Sequence, residues 1–404
     1  MFGCYNAPAG QARERRCSMI PDSNNPTIKG RGAADNPKNR FEKTHLAPDP
    51  DPQPPSLDEV EAIHLPVLGA AGVPSAEAPA SASGTVYLPD RTRSIIATNS
   101  SPDIPFAASI NPYRGCSHGC IYCFAWPTHE YLGMSAGLDF ETKILVKYDA
   151  PELLRAALAS PKWRPQLIAM SGVTDCYQPI ERKLRLTRRC LEVLLDFRNP
   201  VGIVTKNHLV TRDIDLLKAL AAFDCVSVTV SLTTLNAELT RILEPRTSVP
   251  RDRLKAVKEL SAAGVPVNVL MAPVIPAITD HEMPAVLEAA KEAGAKTAGF
   301  VPLRLPFGVK DLFGDWLDRH FPDRKNKVLN RIRDIRGQPR GDGKLNDPNF
   351  HTRMRGEGVW AEHFAQVFQL HAERLGLNER GYASSTAHFR RPDPPPAPLP
   401  LFDR

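Results

Sequence analysis

No run of about 18 apolar residues occurs in the chain, so a membrane-spanning helix is not expected. The opening residues MFGCYNAPAGQARERRCS lack the apolar stretch of a secretory signal, which makes the cytoplasm the expected location. Cysteine is scarce, at 8 residues in 404, too few for a disulfide scaffold. Neither sign of charge dominates. Lys and Arg number 51 against 45 Asp and Glu, a net +6, so any nucleic-acid partner must be argued from local clusters. What the chain has in quantity is apolar residues, 42%, which excludes a wholly disordered polypeptide and suits one large α/β domain or two ordinary ones.

Proline numbers 39 and gathers towards the ends. Residues 48–82 are rich in Pro, Ala and Ser and read as a flexible linker, as does the tail PDPPPAPLPLFDR. KGRGAADNPKNRFEK (29–43) is basic and aperiodic, an arm that is either solvated, in contact with a phosphate backbone, or folded onto the domain. The expected divisions are a largely disordered N-terminal arm and linker (1–83), a core (84–306), a basic helical C-terminal region (307–390) and a Pro-rich tail (391–404).

Within the core, apolar runs at 106–110, 166–172, 201–206, 226–232, 265–274 and 296–303 read as strands. Amphipathic stretches at 151–160, 186–197, 212–223, 250–264 and 283–294 read as helices, and Gly264 and Gly294 end two of them. Six such strands with helices between them call for a parallel sheet covered by helices, wound into a barrel or an open twisted sheet. Either form brings the C-terminal ends of the strands to one mouth.

Straight after the first strand comes NPYRGCSHGCIYCFAWPTHEYLG (111–133). Cys116, Cys120 and Cys123 fall within eight residues, and three thiolates at Cys-x3-Cys-x2-Cys spacing can wrap one cubane cluster, leaving a fourth iron open. The rival is zinc with His118 or His129 as fourth ligand. His118 lies inside the first loop, where the short spacing leaves little room to turn back onto the same metal.

The string NPYRGCSHGCIYCFA is similar to the spore photoproduct lyase-like (DNA repair photolyase-like) branch of the radical S-adenosylmethionine (SAM) superfamily. The likeness continues through SGVTDCYQPIE (171–181), TKNHLVTRDIDLL (205–217), SLTTLNAELTRILEPRTSVPRDRL (231–254) and VNVLMAPVIPAITD (267–280). It implies a partial (β/α)6 TIM-like barrel with a helical C-terminal cap, and a [4Fe–4S] cluster on Cys116, Cys120 and Cys123. It further implies SAM at the open iron, reductively cleaved to a 5′-deoxyadenosyl radical, and an electron donor such as flavodoxin or ferredoxin.

By the same resemblance Thr174, Lys206 and Ser231, which close the second, third and fourth strands, are cofactor contacts. An ordinary turn role is the alternative for Thr174. Arg246 pairs either with the cofactor carboxylate or with Glu244 or Glu238. Tyr122 and Phe124 flank Cys123, and one of them covers the cluster or stacks on adenine, core packing being the other reading. One departure matters. Where the lyases place a hydrogen-donating cysteine three residues before the Asp aligned with Asp175, this chain has Gly172. Cys176 or Tyr177 could serve as a different radical relay, and thymine-dimer reversal does not carry over directly.

Past Pro306 the chain turns basic and aromatic, with eight Lys/Arg and two acids between Arg319 and Arg340. Phe307, Phe313, Trp316 and Phe321 lie beside that stretch. Basic groups next to aromatics suit a DNA or RNA substrate, with Arg331, Arg333 and Arg336 on phosphates. An amphipathic cap with solvated arginines is the alternative. In 360–376 an amphipathic helix is expected, with His363 and His371 as surface residues. A non-catalytic, zinc-stabilised nucleic-acid-binding protein and an RNA-modifying enzyme remain the alternative functions.

Overall fold

A computed structural model describes residues 28–41, 84–337 and 344–392. The linker 48–82 and the tail beyond Pro392 lie outside the described residues. The strands are β1 (Val86–Pro89), β2 (Ile96–Thr98), β3 (Ala108–Ile110), β4 (Tyr113–Arg114), β5 (Lys143–Val146), β6 (Ile168–Met170), β7 (Val201–Thr205), β8 (Val226–Ser231), β9 (Val267–Val274) and β10 (Thr297–Pro302). Between the later strands run α1 (Ala150–Ala159), α2 (Leu186–Phe197), α3 (Ile214–Ala221), α4 (Pro250–Ala262) and α5 (Met283–Glu292).

The main sheet has the order β10-β9-β8-β7-β6-β3-β2. Every pair from β3 to β10 is parallel, and β2 joins β3 antiparallel at one edge. Six parallel strands thus follow one another in sequence order, each crossover advancing one place. That single winding is the pattern of a barrel; a doubly wound sheet would reverse direction partway. The fold is a partial TIM-like barrel.

All six expected strands form, but the first two are shorter than their apolar runs. Pro105 precedes β3, and Ser171 stops β6 with a φ of +78°. Two of these helices, α4 and α5, end where glycine allows a left-handed turn, Gly264 at φ +81° and Gly294 at φ +101°.

The two faces of the sheet differ. Val201, Ile203, Val226, Val228, Val230, Val267, Val269 and Met271 are buried and pack in one core with Leu191, Leu194, Leu217, Leu260 and Leu287 of the helices. The alternate residues Ser109, Gly202, Ser227, Thr229 and Asn268 are small or polar and only partly buried. Asn268 Nδ2 donates to Thr229 Oγ1 across that face (3.4 Å). A closed barrel fills its interior with branched apolar side chains. Here part of that face is built of small and polar residues instead.

A second, three-stranded sheet, β1-β5-β4, was not legible in the sequence. Its β4 delivers the chain directly to the three-cysteine loop. Beyond the barrel, α6 (Val309–His320), α7 (Lys325–Ile335) and α8 (Gly358–Arg374) form the helical cap. Among the described residues no helix is long and apolar enough to cross a membrane.

Candidate iron–sulfur and SAM site

Gly115, immediately before Cys116, has a φ of +84°, and a Cβ there would meet the His129 ring and the Phe140 carbonyl at 2.9 Å each. The loop is then tied on several sides. Cys116 N donates to Phe140 O (3.0 Å) and Ile121 N to Leu243 O (3.0 Å). Gln178 grips it twice: its Oε1 accepts from Ser117 N (3.0 Å) and its Nε2 donates to Gly115 O (3.1 Å). Cys116 and Cys120 are buried, Cys123 is partly buried, and all three are free thiols. Burial raises the Cys120 thiol well above its ordinary pKa and pushes Cys123 up to about 12. For Cys120 and Cys123 burial favours the thiol, which a bound metal's charge would offset in favour of the thiolate ligand.

Part of the expected arm is an exception to a disordered reading. Residues 28–41 fold onto the domain, because their backbone supplies donors that a buried carboxylate needs. Glu141 is fully buried and accepts from Gly32 N (3.2 Å) and Ala33 N (2.9 Å). Desolvation raises its carboxyl to about 7, although those two N–H groups and Arg31 act to lower it. Arg31 donates to Glu141 O (2.9 Å), and Arg40 pairs with Glu130 (2.6 Å) while lying over the Phe307 ring at 3.6 Å. The arm is a lid on the outside of the cysteine loop.

The strand ends supply the other wall. Asp175, past β6, accepts from Thr205 Oγ1 (2.8 Å), Lys206 N (2.8 Å) and Tyr177 N (2.9 Å), and faces His118 Nδ1 at 3.4 Å. It links the second and third strand ends to the first cysteine loop. Lys206 Nζ donates to Ala272 O (3.3 Å) and lies 5.9 Å from the Tyr122 ring centroid. Burial lowers the Lys206 pKa, while Cys120 acts to raise it, so its ammonium shares this wall with the thiols.

Tyr122 is buried, and its hydroxyl donates to Glu244, which is ion-paired with Arg253. Arg253 also donates to Ser248 O (2.7 Å) and Ser231 O (3.0 Å). This answers the question left open for Arg246: Glu244 belongs to Arg253, and Arg246 instead donates from its backbone to His118 O (3.1 Å) and from its side chain to Thr85 (3.4 Å). Sequence reading missed Gln178, Glu141 and Arg253. Gln178 sits inside the quoted SGVTDCYQPIE string, whereas nothing in the local sequence singles out Glu141.

Other expected residues fall as follows. Thr174 is buried with its hydroxyl donating to Tyr113 O (2.9 Å). Ser231 is buried at the end of β8. Phe124 is 53% exposed, so of the two aromatics Tyr122 is the one turned inward. Cys176 and Tyr177 lie away from the cysteine loop. Both are fully buried in the core between sheet and helices, a different apolar cluster from the one holding Cys116, Cys120 and Tyr122. The Tyr177 hydroxyl is taken by Asp213 (3.1 Å), and Cys176 Sγ is shut away from the concave face.

The zinc alternative finds no support in the imidazoles. His118 is occupied by Asp175 and by Asn207 (3.3 Å), and His129 Nε2 faces Lys143 O (3.0 Å). Among the described residues no three His, Cys, Asp or Glu side chains are gathered to hold a single metal ion. A cubane takes one iron per thiolate and does not need that convergence.

The basic C-terminal segment is chiefly a cap. Phe313 and Trp316 are buried, as are Val328, Ile332 and Ile335 on α7. Arg331 pairs with Asp280 (3.1 Å) over the Trp360 ring, and Arg336 is buried. The three arginines therefore do not present one phosphate-gripping face. His363 is exposed and His371 partly so, as expected.

The model of the radical SAM superfamily matches residues 110–290. An uncharacterized protein of Mycobacterium tuberculosis is 37% identical over 234 residues, 57% of this chain and 68% of the relative. One from Methanocaldococcus jannaschii is 32% identical over 178 residues, 43% and 62% of the two chains. Among solved structures, a spore photoproduct lyase complexed with dinucleoside spore photoproduct superposes with a TM-score of 0.51 at 14% identity, over 72% of this chain and 80% of the other. A point mutant of spore photoproduct lyase gives 0.50 at 17% identity, over 73% and 81%. The single winding, the loop of three thiols at the strand ends and these matches lead to one conclusion: the chain belongs to the radical SAM superfamily and is an enzyme of that type.

Proposed function

We propose that Cys116, Cys120 and Cys123 hold a [4Fe–4S] cluster and that SAM binds against it, between Tyr122, Lys206 and the ends of β6 to β8. The family implies SAM and an iron–sulfur cluster. When bound, that pair supplies an electron to the sulfonium and so a 5′-deoxyadenosyl radical. The observation that carries the reading is the Lys206 ammonium on the same wall as the thiols, held by Ala272 O and facing the Tyr122 ring. Lys206 is suited to the cofactor's carboxylate, Tyr122 to covering the adenine, and Thr174 and Ser231 to orienting its ribose and methionine ends, while Arg246 braces the outer side of the loop at Thr85. Asp175 positions Lys206 through its backbone N–H. The arm 28–41 and Gln178 hold the loop and keep water from its outer side.

The substrate is a nucleic acid or nucleotide, and the chemistry is lyase-like repair or modification. A solved spore photoproduct lyase on the same fold, complexed with dinucleoside spore photoproduct, supports this. Gly172 and the buried Cys176 mean that hydrogen return differs from a cysteine-donor scheme. A one-electron donor such as flavodoxin or ferredoxin serves the cluster. The test is anaerobic reconstitution followed by 5′-deoxyadenosine assay with reductant, alone and with DNA, tRNA or nucleotide pools. Brown protein absorbing near about 400 nm and release stimulated by one pool are expected. Colourless, zinc-loaded protein without release overturns the cluster; release that no pool stimulates overturns the substrate class.

A further inference from the structure

A second charged cluster sits where the C-terminal end of β10 meets residues 344–355. Arg336 is 4% exposed. Its Nη1 donates to Arg353 O (2.9 Å) and its Nη2 to Pro302 O (2.9 Å) and Leu303 O (2.5 Å), which caps the end of β10. Its Nε is buried without an acceptor. Arg304, two residues past β10, has only the weak acceptor Met354 Sδ for its Nη1 (3.3 Å), and its Nε is also buried without an acceptor.

Among the described residues neither guanidinium has a carboxylate partner. Two acids act on them from nearby, Asp103 on Arg304 and Asp347 on both, but among the described residues neither accepts a hydrogen bond from either guanidinium. Asp103 takes both arms of the Arg353 fork (2.6 Å each). Asp347 accepts from Asn349 N (2.8 Å) and Thr352 Oγ1 (2.5 Å). Burial, then the Arg353 charge, lowers the Arg304 pKa; burial, then the Arg304 charge, lowers Arg336 to about 10. Buried arginines are ordinarily paired, because an uncompensated cation in a low-dielectric place is costly. Arg336, buried, and Arg304, partly buried, each keep an Nε without an acceptor, and together they form a receptor for an anion. Planar forks fit the oxygens of a phosphate. The place is also right: Leu303 and Leu305, on either side of Arg304, pack in the same apolar cluster as Cys116, Cys120 and Tyr122.

We propose that Arg304 and Arg336 form a phosphate-binding site beside the mouth of the barrel, and that its occupant is a backbone phosphate of a nucleic-acid substrate. The occupant rests on the reading of the substrate given above; the phosphate site itself rests only on the side chains here.

The test compares wild type, Arg304→Met and Arg304→Lys, the last keeping charge but not the fork. Fluorescence anisotropy with labelled single-stranded oligothymidylate is read against salt, and thermal midpoints are read with and without inorganic phosphate. In wild type, phosphate should raise the midpoint, and Arg304→Met should abolish that rise without lowering the phosphate-free midpoint, because it removes a partly buried cation that has no carboxylate hydrogen-bond partner among the described residues. Oligonucleotide affinity should fall about tenfold in Arg304→Met, with the salt slope reduced by about 0.7, as for one lost phosphate contact on a single strand. Arg304→Lys should fall between. Reductive 5′-deoxyadenosine release without substrate should be unchanged in all three. If wild type binds no oligonucleotide but its phosphate response depends on Arg304, the site stands for a free phosphate or mononucleotide and the nucleic-acid occupant is rejected. If Arg304→Met keeps the phosphate response and the affinity of wild type, the site is rejected while the reading of the substrate survives.

Discussion

Gly32 is pressed against Gly119: a Cβ on Gly32 would lie 2.0 Å from the Gly119 carbonyl oxygen. Gly119 precedes Cys120, so the arm touches the backbone between the first two cysteines. Backbone at that distance cannot yield as a flexible side chain can. Gly32→Ala should push the arm off the loop, lowering stability by about 2 kcal/mol and reducing iron retained after reconstitution. Thermal denaturation and iron assay check this. Retention of both at wild-type levels would mean that the arm does not brace the loop.

The carboxylate beneath the same arm gives a pH signature. Desolvation raises Glu141 from 4.5 to about 7, so the folded state binds a proton that the unfolded state has released. Its contribution is fully present below pH 4.5 and is lost as pH rises through about 7. A shift of that size corresponds to about 3 kcal/mol for this fully buried group. Glu141→Gln mimics the protonated form, so the stability of the variant relative to wild type should increase across that window and level off above it. A difference that stays flat with pH would contradict the raised carboxyl.

Lys206 is held by a single carbonyl bond, so its removal should leave the loop intact. Lys206→Ala should weaken SAM binding about tenfold, the scale of one charged hydrogen bond, with iron content unchanged. Calorimetric titration of SAM into reconstituted protein measures it, and unchanged affinity would remove Lys206 from the cofactor site.

Gly172 has room. A Cβ there would meet nothing closer than Ser109 Cβ at 3.7 Å and the Phe106 ring at 3.9 Å. Gly172→Cys should therefore fold with a stability within about 1 kcal/mol of wild type and expose a thiol that reacts with a thiol reagent. A large loss of stability would show that glycine is required there by packing and is not simply the absence of a donor.

The six-strand barrel could be read in the sequence because its parallel strands are apolar runs, valine-rich from the third to the fifth, and two of the helices between them end on glycine, Gly264 and Gly294. The three cysteines could be read because their spacing is local. What could not be read were long-range placements. Cys176 looked available one residue from Asp175, but its side chain points into the core, away from the mouth. Glu141 lacks any local pattern, since its partners Gly32 and Ala33 lie over a hundred residues earlier. Basic density likewise misled for Arg331, which is neutralised by Asp280, a partner far away in sequence.

The central claim is that three thiols on one loop hold the iron that serves SAM. Mössbauer spectra and iron and sulfide content should be measured on anaerobic wild type and Cys120→Ala, alongside reductive 5′-deoxyadenosine release. Wild type should show a cubane and release product, and Cys120→Ala should lose the product and most of the cluster. A wild type without a cubane, or a Cys120→Ala protein that turns over normally, would contradict it.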